Sequence, residues 1–217
     1  MSVATPDRRP VIVLDFDGVL CLSNAVKSEW IRANLGRDIP PEQCDRAECS
    51  ALISVADYER AKAEAYERDG TLRAPAVAGA IDGVRALAAR ARLVLLTARP
   101  AARMGYAREW LARQGIADCF VEWRSCTDDG RAKIEIAHAL GAVAMVDDDT
   151  SQLHAPLGAL VGFHFGRDAT TTDATPVRDW HALRPALLEL INHAAPTGAT
   201  LRPRDVSGSF SPEPASP

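Results

Sequence analysis

The sequence predicts an α/β fold: a doubly wound parallel sheet core with an inserted small α-helical cap. Three observations point there. Short apolar runs rich in Val, Ile and Leu stop abruptly at polar residues, helical segments alternate with them, and the alternation lapses over residues 21–78. Continuous apolar runs, without in–out alternation, are what strands buried on both faces of a parallel sheet require.

The first run, Val11-Ile12-Val13-Leu14, follows Pro10 and ends at Asp15, Asp17 and Gly18. Residues 21–78 then hold helical stretches over 25–35 and 56–68, separated by Pro40-Pro41 and lacking a buried strand. The second stretch, rich in Ala, Glu, Lys and Arg, is expected to stop at Asp69-Gly70. Alternation resumes with a helix over 81–90 and the run Arg92-Leu93-Val94-Leu95-Leu96, closed by Thr97. A helix over 101–114 carries Met104, Ala107, Trp110 and Leu111 at helical spacing, and the stretch after Phe120, with Trp123 and Arg124, reads as irregular. Lys133 opens a helix to Leu140, and the run Ala142-Val143-Ala144-Met145-Val146 ends at Asp147, Asp148 and Asp149. A weaker strand candidate spans 159–165, and a last helix over 179–192 puts Trp180, Leu183, Leu187, Leu188 and Ile191 on one side. The expected domains are a Rossmann-like core of residues 1–20 and 79–194, a helical cap of 21–78, and a disordered tail of 195–217 rich in Pro, Ser, Gly and Thr.

Lys and Arg total 25 against 29 Asp and Glu, a net charge of −4, so no basic stripe speaks for duplex nucleic acid as a partner. The apolar runs fall far short of the roughly 20 residues that span a bilayer, and the first residues lack the hydrophobic region of an export signal. The expectation is a cytoplasmic protein with no membrane partner. Its five cysteines form no CxxC pair and are expected to be reduced thiols, and its five histidines show no ligand spacing.

Ligands of an open parallel sheet bind beyond the carboxyl ends of its strands, at a topological switch point. Asp15, Asp17, Thr97, Asp147, Asp148 and Asp149 all stop strands, and Lys133 opens the helix before the last acidic run. Carboxylates crowded into one crevice raise each other's pKa unless a cation neutralises them. A hard ion such as Mg²⁺, which takes oxygen ligands from one or two carboxylates and a substrate phosphate, meets that need. Asp and Gly are also ordinary turn residues, and Asp149 or Thr150 is expected to cap a following helix.

Four of these segments resemble motifs of the haloacid dehalogenase (HAD) superfamily, most of whose members are magnesium-dependent phosphatases. Asp15-Phe16-Asp17-Gly18-Val19 is similar to its DxDG(T/V) motif, Leu95-Leu96-Thr97-Ala98-Arg99 to its strand ending in Ser or Thr, Lys133 to its lysine, and Val146-Asp147-Asp148 to its closing acidic motif. The insertion between the first two resembles that family's C1 type of cap. The resemblance implies a nucleophilic Asp15 forming an aspartyl-phosphate, with Asp17 as general acid and base. It implies phosphoryl and substrate binding by Thr97, Ala98, Arg99 and Lys133. Mg²⁺ would rest on Asp15, on Asp147 or Asp148, and on the backbone carbonyl of Asp17; which of Asp147 and Asp148 ligates directly stays open. Dehalogenases and phosphonatases lack an acid at the position of Asp17, so the implied substrate is a small phosphorylated metabolite, a nucleotide or sugar phosphate among them. A phosphotransferase or mutase using the same intermediate is the alternative, and a non-catalytic binding protein is the more distant one. Trp30, Tyr58 and Tyr66 of the cap are expected to pack a core, and the sequence leaves a homodimer open.

Overall fold

The computed structural model describes residues 7–154 and 157–194; the tail expected over 195–217 lies outside them. The chain opens with β1 (Val11–Leu14), then runs through α1 (Ser23–Leu35), α2 (Arg46–Leu52), α3 (Val55–Tyr66), α4 (Arg68–Arg73) and α5 (Ala80–Ala88) to β2 (Arg92–Thr97). α6 (Ala101–Arg113), β3 (Phe120–Ser125), α7 (Cys126–Asp129), α8 (Lys133–Ala139), β4 (Ala142–Asp147), β5 (Val161–Phe165), β6 (Thr175–Val177) and α9 (Trp180–Ala194) complete it. The strands form one sheet in the order β3-β2-β1-β4-β5-β6, every neighbouring pair parallel. This is the doubly wound α/β class expected from the apolar runs.

Alternate residues of each central strand serve opposite faces. Ile12 and Leu14 of β1 join Leu93 and Leu95 of β2 beneath Val84, Leu87, Trp110, Leu183 and Leu187 of α5, α6 and α9. Val11 and Val13 join Val94, Leu96 and Met145 beneath Ile134, Ile136 and Ala137 of α8. All four residues of β1 are buried, which is why no polar position interrupts the run. Two tryptophans pin the chain around the strand ends: Trp180 Nε1 donates to the Val19 carbonyl at 2.8 Å, and Trp110 Nε1 to the Ala74 carbonyl at 2.8 Å. Gly83 makes room for the first of these, since a Cβ there would stand 2.2 Å from the Trp180 ring.

Between β1 and β2 the helices α1 to α3 and the segments joining them gather a small core of their own from Ile31, Ile39, Cys44, Cys49, Ile53, Tyr58 and Ala61. Trp30 and Tyr58 pack there, as expected of helical aromatics. The helix expected over 56–68 ends at Tyr66, because Glu67 adopts an extended backbone and α4 starts at once. Gly70 therefore lies inside α4 and is not a helix stop. A Cβ there would meet the Glu64 carbonyl at 2.0 Å, so the glycine permits the tight return of α4 onto α3.

Besides α4, the elements α2, α7, β3 and β6 escape the sequence reading, three of them for evident physical reasons. β3, the stretch expected to be irregular, is an edge strand with a half-exposed, charge-bearing pattern, and β6 is a three-residue edge strand at the other side. Neither needs the apolar run that marks a central strand. The seven-residue α2 is too short to show a helical period, and its start is secured by the Asp45 side chain accepting from the Glu48 N–H. Among the described residues no helix is long and apolar enough to cross a membrane.

Candidate active site

The chain steps from β1 outward to β2 and β3, then returns to place β4 on the opposite flank of β1. Leu14 pairs with Leu95 on one side and Val146 on the other, so Asp15 and Asp147 emerge together at the switch point. The Asp15 N–H donates to the Val146 carbonyl at 3.0 Å and carries the ladder up to the acid itself. Phe16, fully buried and edge-on to Trp110 with centroids 5.4 Å apart, anchors the loop between Asp15 and Asp17.

Lys133, the first residue of α8, reaches under both acids. Its Nζ donates to Asp147 Oδ2 at 2.7 Å and lies 2.9 Å from Asp15 Oδ1. The ammonium is aimed at Asp147, so the buried Asp15 Oδ1 is ion-paired yet has no aligned hydrogen bond. The second oxygen of Asp147 accepts the Asp149 N–H at 3.0 Å. Burial depresses an ordinary lysine, but the charges of Asp147 and Asp15 outweigh it and hold Lys133 above its usual range.

Asp148 stands beside them over Gly18. A Cβ on Gly18 would lie 1.8 Å from Asp148 Oδ2, and φ is +74° there, so both backbone conformation and closeness of approach demand glycine. Desolvation, then repulsion from Asp147, pushes Asp148 up to about 7, and desolvation likewise raises Asp15 and Asp147. One carboxylate oxygen from each of Asp15, Asp147 and Asp148 falls within 4.8 Å of the others. Three clustered acids that share one ammonium and whose charged forms are disfavoured are the donor set a hard divalent cation fits. Asp149 caps the short 3₁₀ turn Thr150–Leu153 by accepting from the Ser151 N–H at 2.8 Å. His164 of β5 places Nε2 3.3 Å from the Asp148 carbonyl, a backing position for that loop.

Asp17 points elsewhere. Its two oxygens accept from Arg99 Nε and Nη2, both at 2.8 Å, in a bidentate pair. Burial alone would raise this carboxyl, yet the guanidinium charge and its hydrogen bonds prevail and hold it below the ordinary value. Thr97 is buried at the end of β2 with its hydroxyl accepting the Arg99 N–H at 3.1 Å, while Ala98 is exposed and its carbonyl accepts from the Thr127 hydroxyl.

Arg99 departs from an expectation. Implied by the resemblance to bind substrate, it is 0% exposed and spends its donors inside the protein. Nη1 donates to Thr71 Oγ1 at 2.6 Å and Nη2 also to the Ala65 carbonyl at 3.4 Å, while the guanidinium lies 4.8 Å from the Phe16 ring and 4.3 Å from the Tyr66 ring. Tyr66 is thus a stacking partner of Arg99 at the seam with the helical insert.

Sequence reasoning also passed over Lys27, a buried lysine on α1. Its Nζ donates to Asn24 Oδ1 at 2.8 Å and to the Cys44 carbonyl at 3.3 Å, and it sits over the Tyr58 ring at 5.3 Å. Burial lowers its pKa against the opposing fields of Asp17 and Asp148. The signal was available, since Lys27 stands between Ser23 and Ile31 on one buried helical face.

Solved structures share this architecture. L-2-haloacid dehalogenase from Xanthobacter autotrophicus aligns with a TM-score of 0.58 at 14% identity over 83% of this chain and 98% of that one. A HAD family hydrolase from Deinococcus radiodurans R1, with bound phosphate and sodium, aligns at 0.57 and 15% identity over 84% and 96%. The putative HAD-hydrolase YfnB from Bacillus subtilis, bound to magnesium, aligns at 0.55 and 12% identity over 84% and 100%. No protein-family model and no curated protein matches the sequence. What this chain shares with those structures is the fold.

Proposed function

We propose that this chain, built on the haloacid dehalogenase-like hydrolase fold, is a Mg²⁺-dependent hydrolase of small phosphomonoesters that works through an aspartyl-phosphate on Asp15. The observation that carries this reading is the placement of Asp15 at the switch point, 2.9 Å from the Lys133 ammonium and grouped with Asp147 and Asp148. Bound Mg²⁺ would draw charge from the phosphoryl group and relieve the repulsion among the acids. Asp15, with Asp147 or Asp148, supplies its side-chain ligands in this reading; Asp147 is the one already engaged by Lys133 and the Asp149 amide.

The residues then divide the work. An Asp15 oxygen attacks phosphorus in line, the ester P–O bond breaks, and the leaving oxygen takes a proton from the protonated form of Asp17, the form that Arg99 disfavours in the free protein. Asp17 next takes a proton from water, whose oxygen attacks the acyl phosphate and frees Asp15 and inorganic phosphate. Lys133 offsets negative charge on Asp15, and the Thr97 hydroxyl with the backbone N–H groups after it holds phosphoryl oxygens. We read the helical insert as a C1-type cap that opens for a small phosphorylated metabolite and closes to exclude water. The five cysteines are all unpaired, the state a reducing cytoplasm maintains.

A halide leaves carbon without needing a proton, so haloacid chemistry would give Asp17 no task in the first step; an alkoxide leaving phosphorus does need one there. The test is phosphate release from p-nitrophenyl phosphate and a panel of phosphorylated metabolites, with halide release from 2-haloacids run beside it. Asp15→Asn is expected to abolish phosphate release with the circular dichroism spectrum unchanged, and EDTA to do so reversibly. Full activity in Asp15→Asn would overturn the mechanism, halide release would overturn the substrate class, and transfer to an added alcohol exceeding free phosphate would make the protein a phosphotransferase.

A further inference from the structure

We propose that His164 is a positioning residue for the acid cluster: from β5 it fixes the peptide unit that follows Asp148, and with it the place of the Asp148 carboxylate over Gly18. The inference rests on the reading of the cluster as a Mg²⁺ site, and it holds whichever of Asp147 and Asp148 is the ligand. His164 is the register partner of Asp147, the residue that ends β4, so its imidazole starts beside the acids. Nε2 lies 3.3 Å from the Asp148 carbonyl. A carbonyl only accepts, so Nε2 carries the proton of this bond. The N–H at the other end of the same peptide unit, that of Asp149, donates to Asp147 Oδ1 at 3.0 Å. The peptide between Asp148 and Asp149 is therefore held through its oxygen by β5 and through its nitrogen by Asp147.

A planar peptide bonded at both ends has one orientation. That orientation sets ψ of Asp148 and brings its carboxylate against Gly18, where a Cβ would stand 1.8 Å from Oδ2. It also aims the Asp149 N–H at the Asp147 oxygen that Lys133 leaves free. Packing alone gives no reason for a histidine here. His164 interrupts the apolar strand Val161-Gly162-Phe163-His164-Phe165, it is 4% exposed, and its Nδ1 is buried with no hydrogen-bond partner among the described residues. An unpaired buried polar atom is costly, and a leucine would fill much the same space without one. What the imidazole supplies and an apolar side chain does not is the donor to Asp148.

Calorimetric titration of the metal-free protein with Mg²⁺ tests this. His164→Leu removes the donor and the unpaired nitrogen together, and is expected to weaken Mg²⁺ binding about 10-fold. The melting temperature of the metal-free variant should stay within about 3 °C of wild type or rise. His164→Gln can place an amide donor where Nε2 stands, and should restore affinity to within about 3-fold of wild type. Nitrogen NMR of the metal-free wild type should show His164 protonated at Nε2. Unchanged affinity in His164→Leu, a Gln variant that binds no better than Leu, or a ring protonated at Nδ1 alone would each overturn the proposal. A melting temperature lowered by about 8 °C or more alongside the weaker binding would make His164 structural only, and overturns it as well. If His164→Leu fails to fold, the more adaptable His164→Met, equally without a donor, takes its place. A wild type that binds no Mg²⁺ defeats the metal reading and this inference together, whereas a wild type that binds it no better than the His164 variants do defeats only the inference.

Discussion

Asp15 and Asp17 are separated by one phenylalanine, yet burial acts on them with opposite results. Asp15 joins Asp147, Asp148 and Lys133, all drawn from the sheet core, where one ammonium serves several acids and desolvation leaves the carboxyls raised. Asp17 faces the seam with the insert, where one guanidinium serves one acid through two bonds and holds it low. On the core side the acids outnumber their counter-charges; on the seam side the two balance. The number of counter-charges per carboxylate, more than depth, decides which behaviour a buried acid shows.

Removing the shared counter-charge gives the largest expected effect. Lys133→Met leaves two buried carboxylates without their cation and should lower the unfolding free energy, measured in urea, by about 3–5 kcal/mol. Adding Asp147→Asn to it should recover part of that loss. A cost below about 1 kcal/mol for Lys133→Met would mean the core acids are neutral without help, and the contrast with Asp17 would dissolve.

The next change reaches the cation directly. Gly18→Ala drives a methyl into Asp148 and strains a backbone at φ +74°, so Mg²⁺ affinity by titration calorimetry should fall about 10-fold or more. Retained affinity would exclude Asp148 as a ligand.

A pH experiment sharpens the same side. Desolvation, with the charge of Asp147 behind it, pushes the Asp148 carboxyl up to about 7, whereas a bound cation favours the charged form. Mg²⁺ binding should therefore release protons below that value, from Asp148 and from the raised Asp15 together, and affinity should rise with pH through it. Calorimetry in buffers of different ionisation heat measures the proton count. Proton uptake, or affinity falling with pH, would contradict the assignment.

The smallest effect belongs to the exposed part of the seam. Arg103 pairs with Glu67 at 2.6 Å and Arg167 with Asp45 at 2.6 Å, all with substantial solvent exposure. Arg103→Ala or Arg167→Ala should each change stability by no more than about 1 kcal/mol in thermal denaturation. A larger loss would show that the insert is held by its rim and not by Arg99 and the Trp110 bond to Ala74.

Much of this architecture was legible in the chain. Runs such as Val11 to Leu14 and residues 142–146 state in their own composition that they are buried on both faces, and the residues that end them share one edge of the sheet. Asp15, Thr97 and Asp147 are placed there by that alone, because a buried apolar run is a local property, whereas the selection of Lys133 and the role of Thr97 come from the family resemblance. The edge strands β3 and β6 lack that signature, since one flank of each is free of a partner. What no local pattern holds is the partner of each charge: Arg99 meets Asp17 across 82 residues and Thr71 across 28, and Gly18 meets Asp148 across the switch point. Coulomb attraction and close contact depend on distance in space, and that distance exists only once the sheet and the insert have packed.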